Sequence, residues 1–66
     1  MCQMNVMLDS GDQPAELIME NASLLEVIEN GVQISSLFDP PRIIPGVRVV
    51  KIDFLSGKVL LDNIGA

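Results

Sequence analysis

Leu24–Phe38 reads LLEVIENGVQISSLF, and how this stretch is read decides the fold. Asn30-Gly31 sits between two β-prone runs, and Asn-Gly is the preferred pair for a two-residue type I′ hairpin turn. Before it, Leu25 and Val27 fall on one side of an extended chain, with Leu24, Glu26 and Ile28 on the other. After it, Val32, Ile34 and Ser36 alternate with Gln33, Ser35 and Leu37. This period of two predicts a pair of strands with the turn at Asn30-Gly31. The rival is a helix over Glu16–Glu29, ELIMENASLLEVIE, which has helix-forming residues and Ala22 at its middle. Asn21 and Ser23 are weak inside a helix, and the Asn-Gly hairpin needs a strand before it.

Strand periodicity extends in both directions. Toward the N-terminus, Cys2, Met4, Val6 and Leu8 alternate with Gln3, Asn5, Met7 and Asp9. SGDQP, Ser10–Pro14, is turn chemistry, since Gly11 tolerates positive φ and Ser10 and Asp12 can bond their own backbone. A hairpin therefore returns through Ala15–Glu20, and Asn21 and Ser23 start a turn or a short helical piece. Toward the C-terminus, Pro40, Pro41 and Pro45 remove backbone donors from FDPPRIIPG, which leaves a loop with a short edge strand around Arg42–Ile44. Two further strands follow, joined at Leu55-Ser56-Gly57: one sets Val50, Ile52 and Phe54 against Val49, Lys51 and Asp53, and the other runs Lys58–Asn63. The expected fold is one all-β domain over residues 1–66, a small sheet or barrel of five to seven short strands.

Composition narrows the function. A chain of 66 residues buries only about 60% of the surface its unfolded form exposes, so a partner subunit would help a marginal core. Phe38 and Phe54 are the only aromatic residues, so that core must be aliphatic. Net charge is −5, and the four cations Arg42, Arg48, Lys51 and Lys58 are too few for phosphate neutralisation, so no nucleic-acid partner is expected. Acidity also disfavours anionic membranes, and no apolar run approaches the roughly 20 residues needed to span one. No signal peptide is visible, and a single cysteine forms no internal disulfide, so the expected location is the cytoplasm.

Catalysis is not expected. There is no histidine, hence no Ser-His-Asp or Cys-His arrangement, and the five glycines are scattered turn residues rather than a phosphate loop. The acids that could pair, Asp9 with Asp12, Glu16 with Glu20, Glu26 with Glu29 and Asp39 with Asp53, read as solvated surface. Met4, Met7 and Met19 read as core filling rather than a thioether site. Cys2 has two readings. As a buried small hydrophobe it belongs on the apolar side of the first strand. If Met1 is removed, its thiolate and α-amine close a five-membered chelate ring, an N/S donor set suited to Ni(II) or Cu(II), and two chains meeting at a two-fold axis would complete the set.

MCQMNVML at the start, LLEVIENGVQI in the middle, Leu37-Phe38, and VVKIDFLSGKVLL near the end together resemble the CooT family, small nickel-binding accessory proteins of carbon monoxide dehydrogenase maturation. The resemblance spans nearly the whole chain. It implies an SH3-like β-barrel of short antiparallel strands that forms a homodimer, with Ni(II) held at the interface by Cys2. The implied role is that of a nickel metallochaperone or storage protein, partnered with a client nickel enzyme or its maturation proteins. The alternative is a metal-free β-barrel module that binds protein or RNA.

Overall fold

The computed structural model describes residues 4–9, 11 and 14–64. Seven strands and no helix are found among them: β1 (Met4–Asp9), β2 (Glu16–Ala22), β3 (Leu24–Ile28), β4 (Gly31–Ser35), β5 (Arg42–Pro45), β6 (Val47–Asp53) and β7 (Lys58–Asn63). The helical alternative for Glu16–Glu29 is therefore replaced by β2 and β3. The strands form a four-stranded sheet in the order β2-β1-β7-β6 and a three-stranded sheet in the order β3-β4-β5.

The all-β expectation holds, and two of its details differ. The two sheets are not closed into a barrel. One of the five ladders is parallel, because β1 and β7 run side by side from Asn5↔Lys58 to Asp9↔Asp62. A parallel pair needs a long crossover between its strands. Here nearly everything between the two strands, including the whole three-stranded sheet, lies on that crossover.

Two short corners carry the chain from one sheet to the other. At the first, Asn21 adopts φ 56°, a left-handed conformation that asparagine tolerates better than most residues, and its N–H donates to Asn5 Oδ1 at 3.3 Å. The Ser23 N–H then donates to the Ser35 carbonyl at 2.9 Å, which starts the second sheet. At the other corner Gly46 has φ 70°; its N–H donates to the Asn30 carbonyl and its carbonyl accepts from the Ile64 N–H. One glycine thus joins the tip of the β3–β4 hairpin to the end of β7.

The hairpin turn falls one residue earlier than Asn30-Gly31. Ile28 pairs with Gly31 around Glu29-Asn30, and neither turn residue has positive φ, so the type I′ geometry is not adopted. Gly31 is instead a buried strand residue that pairs with Pro45. A Cβ there would collide with the Ile44 carbonyl and lie 2.9 Å from Pro45 Cα. Close approach of two backbones, rather than turn conformation, accounts for this glycine.

Three bulges depart from plain alternation. Two lie in β2, between the pairs Met4↔Ala22, Val6↔Met19 and Met7↔Leu17, and one in β6, where Val50 is the extra residue between Val49↔Leu61 and Lys51↔Leu60. Bulges bend a strand and raise its twist, and here they fall on β2 and β6, the two edge strands of the larger sheet, both of which touch β4 of the smaller one. At the second β2 bulge Ile18 is the extra residue, and Arg42 Nη1 donates to its carbonyl at 3.2 Å, tying β5 to the other sheet.

The core between the sheets is Val6, Met19, Ala22, Val32, Ile34, Val47, Val59 and Leu61, with Met4, Leu8, Ile18, Leu25, Ile44 and Val49 packed around it. It is wholly aliphatic apart from methionine. Phe38 and Phe54 stay 84% and 78% exposed, so neither aromatic contributes to it.

Candidate functional site

The residue singled out as a metal ligand, Cys2, lies outside the described residues. What can be described is the structure it leads into. Met4, two residues on, opens β1 opposite Ala22, and the Asn5 N–H donates to the Gly57 carbonyl at 2.8 Å. β1 is an inner strand of the four-stranded sheet, held by β2 on one side and β7 on the other. The polar groups beside its start are already engaged, since Asn5 Oδ1 accepts from Asn21 and Ser23 bonds to Ser35.

Beside this end of β1 is a hollow of about 90 Å³ whose walls are mostly apolar: Met4, Val6, Ala22, Leu24, Leu25 and Val59. Leu24 is 56% exposed at its rim. Among the described residues no group of three or more His, Cys, Asp or Glu side chains is arranged to hold a metal ion. Among the described residues its walls offer packing surface, with Ser23 as the one polar side chain.

The acids considered as pairs do not form a catalytic constellation. Glu16, Glu20, Glu26, Glu29 and Asp39 are exposed, and Asp12 lies outside the described residues. Asp39 and Asp53 have separate local duties. Asp39 Oδ2 accepts from the Ser36 hydroxyl, whose oxygen in turn accepts the N–H groups of Phe38 and Asp39, which organises the loop after β4. Asp53 Oδ1 accepts the N–H groups of Leu55 and Ser56, each at 3.1 Å, and so shapes the β6–β7 turn. Hydrogen bonds from the Ser56 side chain and backbone hold the Asp53 carboxyl below its ordinary value, with Leu55 and nearby Lys51 adding to the effect.

Of the methionines, Met19 is buried in the core and Met4 packs against it. Met7 sits on the opposite face of β1 beside Leu60, where the two are partners on the parallel ladder. They form part of the floor of a groove of about 290 Å³ on the outer face of the larger sheet, with Lys51, Asp53, Ser56 and Lys58 around it. Sequence reading gave no notice of this groove. Its only trace in the chain is the alternation of Lys51, Asp53 and, across the turn, Lys58, which puts three charged residues on one face.

No helix among the described residues is long and apolar enough to cross a membrane.

A search of curated proteins gives no significant match to the sequence. In structure the chain is similar to a candidate CooT from Carboxydothermus hydrogenoformans, known from its crystal structure, with a TM-score of 0.83 at 20% sequence identity. That match covers 97% of this chain and all of the other, and at this identity the likeness is one of fold. The sequence itself matches the family described as CO dehydrogenase accessory protein CooT over residues 1–62, a span that includes Cys2 as well as all of β1–β6 and most of β7. The chain belongs to the CooT family of CO dehydrogenase accessory proteins.

Proposed function

We propose that the protein is a cytoplasmic nickel metallochaperone or nickel store that serves maturation of a nickel enzyme such as carbon monoxide dehydrogenase, and that it works as a homodimer with Ni(II) as its cargo. The observation that carries this reading is the family match reaching across Cys2, the one thiol of the chain, immediately ahead of an inner strand. The accessory role of the family points to a non-catalytic protein, in keeping with a chain that has no histidine.

The donor set fits nickel by its chemistry. The Cys2 thiolate is a soft ligand, and with Met1 removed the adjacent α-amine supplies a nitrogen, so each chain offers an N/S pair. Binding displaces the thiol proton, which makes uptake weaker as pH falls. One N/S pair is too few donors for a closed site, and a second chain meeting the first at a two-fold axis would complete the set. Support for a dimer comes from the surface. Eleven large apolar side chains are exposed among the described residues, including Leu24 at the rim of the hollow next to β1. A core this small gains from a second copy that covers part of this surface.

The decisive experiment is nickel titration of protein lacking Met1, followed by thiolate-to-nickel charge-transfer absorption and by native mass spectrometry. The expected outcome is one Ni(II) per dimer and loss of the absorption band in Cys2→Ser. Equal nickel uptake by both proteins would remove Cys2 from the site. A dimer that forms in Cys2→Ser and takes up no nickel in either protein would favour the metal-free interaction module.

A further inference from the structure

The outer face of the four-stranded sheet carries charged residues at both ends and apolar residues between them. Two of the four cations of the chain, Lys51 and Lys58, fall at one end of that face, near the β6–β7 turn. Lys51 pairs with Leu60, and Lys58 lies two residues before Leu60, so the two lysines are diagonal neighbours with roughly 7–8 Å between them. At the other end Asp9 and Asp62 are partners on the parallel ladder. Between the ends the face is apolar: Met7 and Leu60 sit side by side, and Leu17 is across from Met7.

Asp53 lies across from Lys58 and lines the same groove; its Oδ1 accepts from the amides of Leu55 and Ser56, and Lys51 is near enough to help lower its pKa. Asp53 thus offsets one of the two lysine charges, and the groove keeps one positive charge in excess, the charge that a single carboxylate matches. Among the described residues the one ion pair is Arg48–Asp62, at 3.9 Å and at the acidic end of the face, so neither lysine is in an ion pair there. Two ammonium groups therefore rim a concave, apolar-floored groove of about 290 Å³. That volume is just under the range of about 300–1,000 Å³ that holds drug-sized ligands, which selects for a small guest.

We propose that this groove is a binding site for a small monocarboxylate with a short apolar body, the carboxylate meeting Lys51 and Lys58 and the apolar body lying on Met7 and Leu60. Both halves of the ligand are required. The net charge of −5 repels simple anions in general, so a carboxylate gains from the lysines only when apolar contact holds it in the groove. The site is independent of the nickel reading, since it lies on the sheet face opposite the core and uses none of the proposed nickel donors.

The test is titration of the metal-free full chain with butyrate, followed by ¹H–¹⁵N correlation spectra at constant ionic strength, in wild type and in Cys2→Ser. Saturable shifts confined to Lys51, Asp53, Ser56, Lys58 and their neighbours are expected in both proteins, none with butylammonium, and a Lys51→Gln/Lys58→Gln variant that keeps its dispersed spectrum should bind butyrate about tenfold more weakly. Shifts that do not saturate, that appear equally with butylammonium, or that survive in the double variant would mean a solvated charge ladder and overturn the site. A glutamate-rich peptide that shifts the same residues at lower carboxylate concentration than butyrate would also overturn it, in favour of a protein-borne acid.

Discussion

The two sheets are built on different principles. The three-stranded sheet β3-β4-β5 is local: its strands follow one another in the chain, its ladders are antiparallel, and its registers run without a shift. The four-stranded sheet joins the two ends of the described chain through the parallel β1–β7 ladder and carries all three bulges. Sequential strands meet at low loop-closure cost, whereas β1 and β7 meet only after the intervening chain is in position. The smaller sheet is thus the element able to form first, and the larger one is the seam that closes the molecule.

That contrast is breakable at defined residues. The largest effect is expected from Leu61→Ala. Leu61 is fully buried on β7, between Leu8 of β1 and Val49 of β6, so its loss opens a cavity at the seam. Urea denaturation should give a loss of about 2–5 kcal/mol, enough to leave a chain this small largely unfolded. An unaffected midpoint would mean that the parallel seam carries little of the stability.

Gly31→Ala comes next and probes the smaller sheet. The added Cβ meets the Ile44 carbonyl and Pro45 Cα, backbone atoms that can yield only by moving β5. Overpacking of this kind should cost about 1–3 kcal/mol, and amide exchange should rise first along Arg42–Pro45. If exchange rose equally along β1 and β7, the two sheets would be one cooperative unit.

Gly46→Ala sharpens the view of the corner between them. A Cβ there meets nothing within 4 Å, so the penalty is conformational alone, from placing a side chain at φ 70°. A loss of about 1 kcal/mol in chemical denaturation is expected, less than for Gly31→Ala although both replace a glycine. Reversal of that order would show that the corner is strained beyond its dihedral.

The smallest effect concerns pH. The Asp53 carboxyl is held below its ordinary value of 3.8 in the folded chain, so the stability it contributes is present above that value and is lost as pH falls through the folded-state pKa. Asp53→Asn cannot ionise, so any stability gap between it and wild type at neutral pH should narrow on acidification below pH 3.8. A gap that stays constant to low pH would assign it to turn geometry and not to charge.

Much of this architecture was legible beforehand. The strand that periodicity predicts over Lys58–Asn63 is β7, and the predicted Arg42–Ile44 differs from β5 by a single residue, because prolines and turn residues mark ends that long-range packing does not alter. The alternation of Met4, Val6 and Leu8 identified the core side of β1 correctly. The Asn-Gly signal located the hairpin but misplaced its turn by one residue, since Gly31 answers to β5, a strand far from it in the chain. The β2 bulges were hidden for a related reason: ELIMENA has apolar residues at Leu17, Ile18 and Met19 in succession, and only the pairing with β1 decides which one is extra. Of the candidate site, Cys2 and the family likeness were readable from motifs, while the lysine groove was not, because its walls come from strands that become neighbours only on folding.

By itself, then, the sequence determined strand positions, an aliphatic core, an acidic surface and membership of the CooT family, all of which depend on local pattern or residue identity. Only the tertiary structure decided that the first and last strands lie parallel, that two sheets face each other without closing, and that two lysines share one groove. Hydrophobic alternation says which side of a strand is buried and is blind to the direction of its neighbour, so pairing across the length of the chain is chosen by packing.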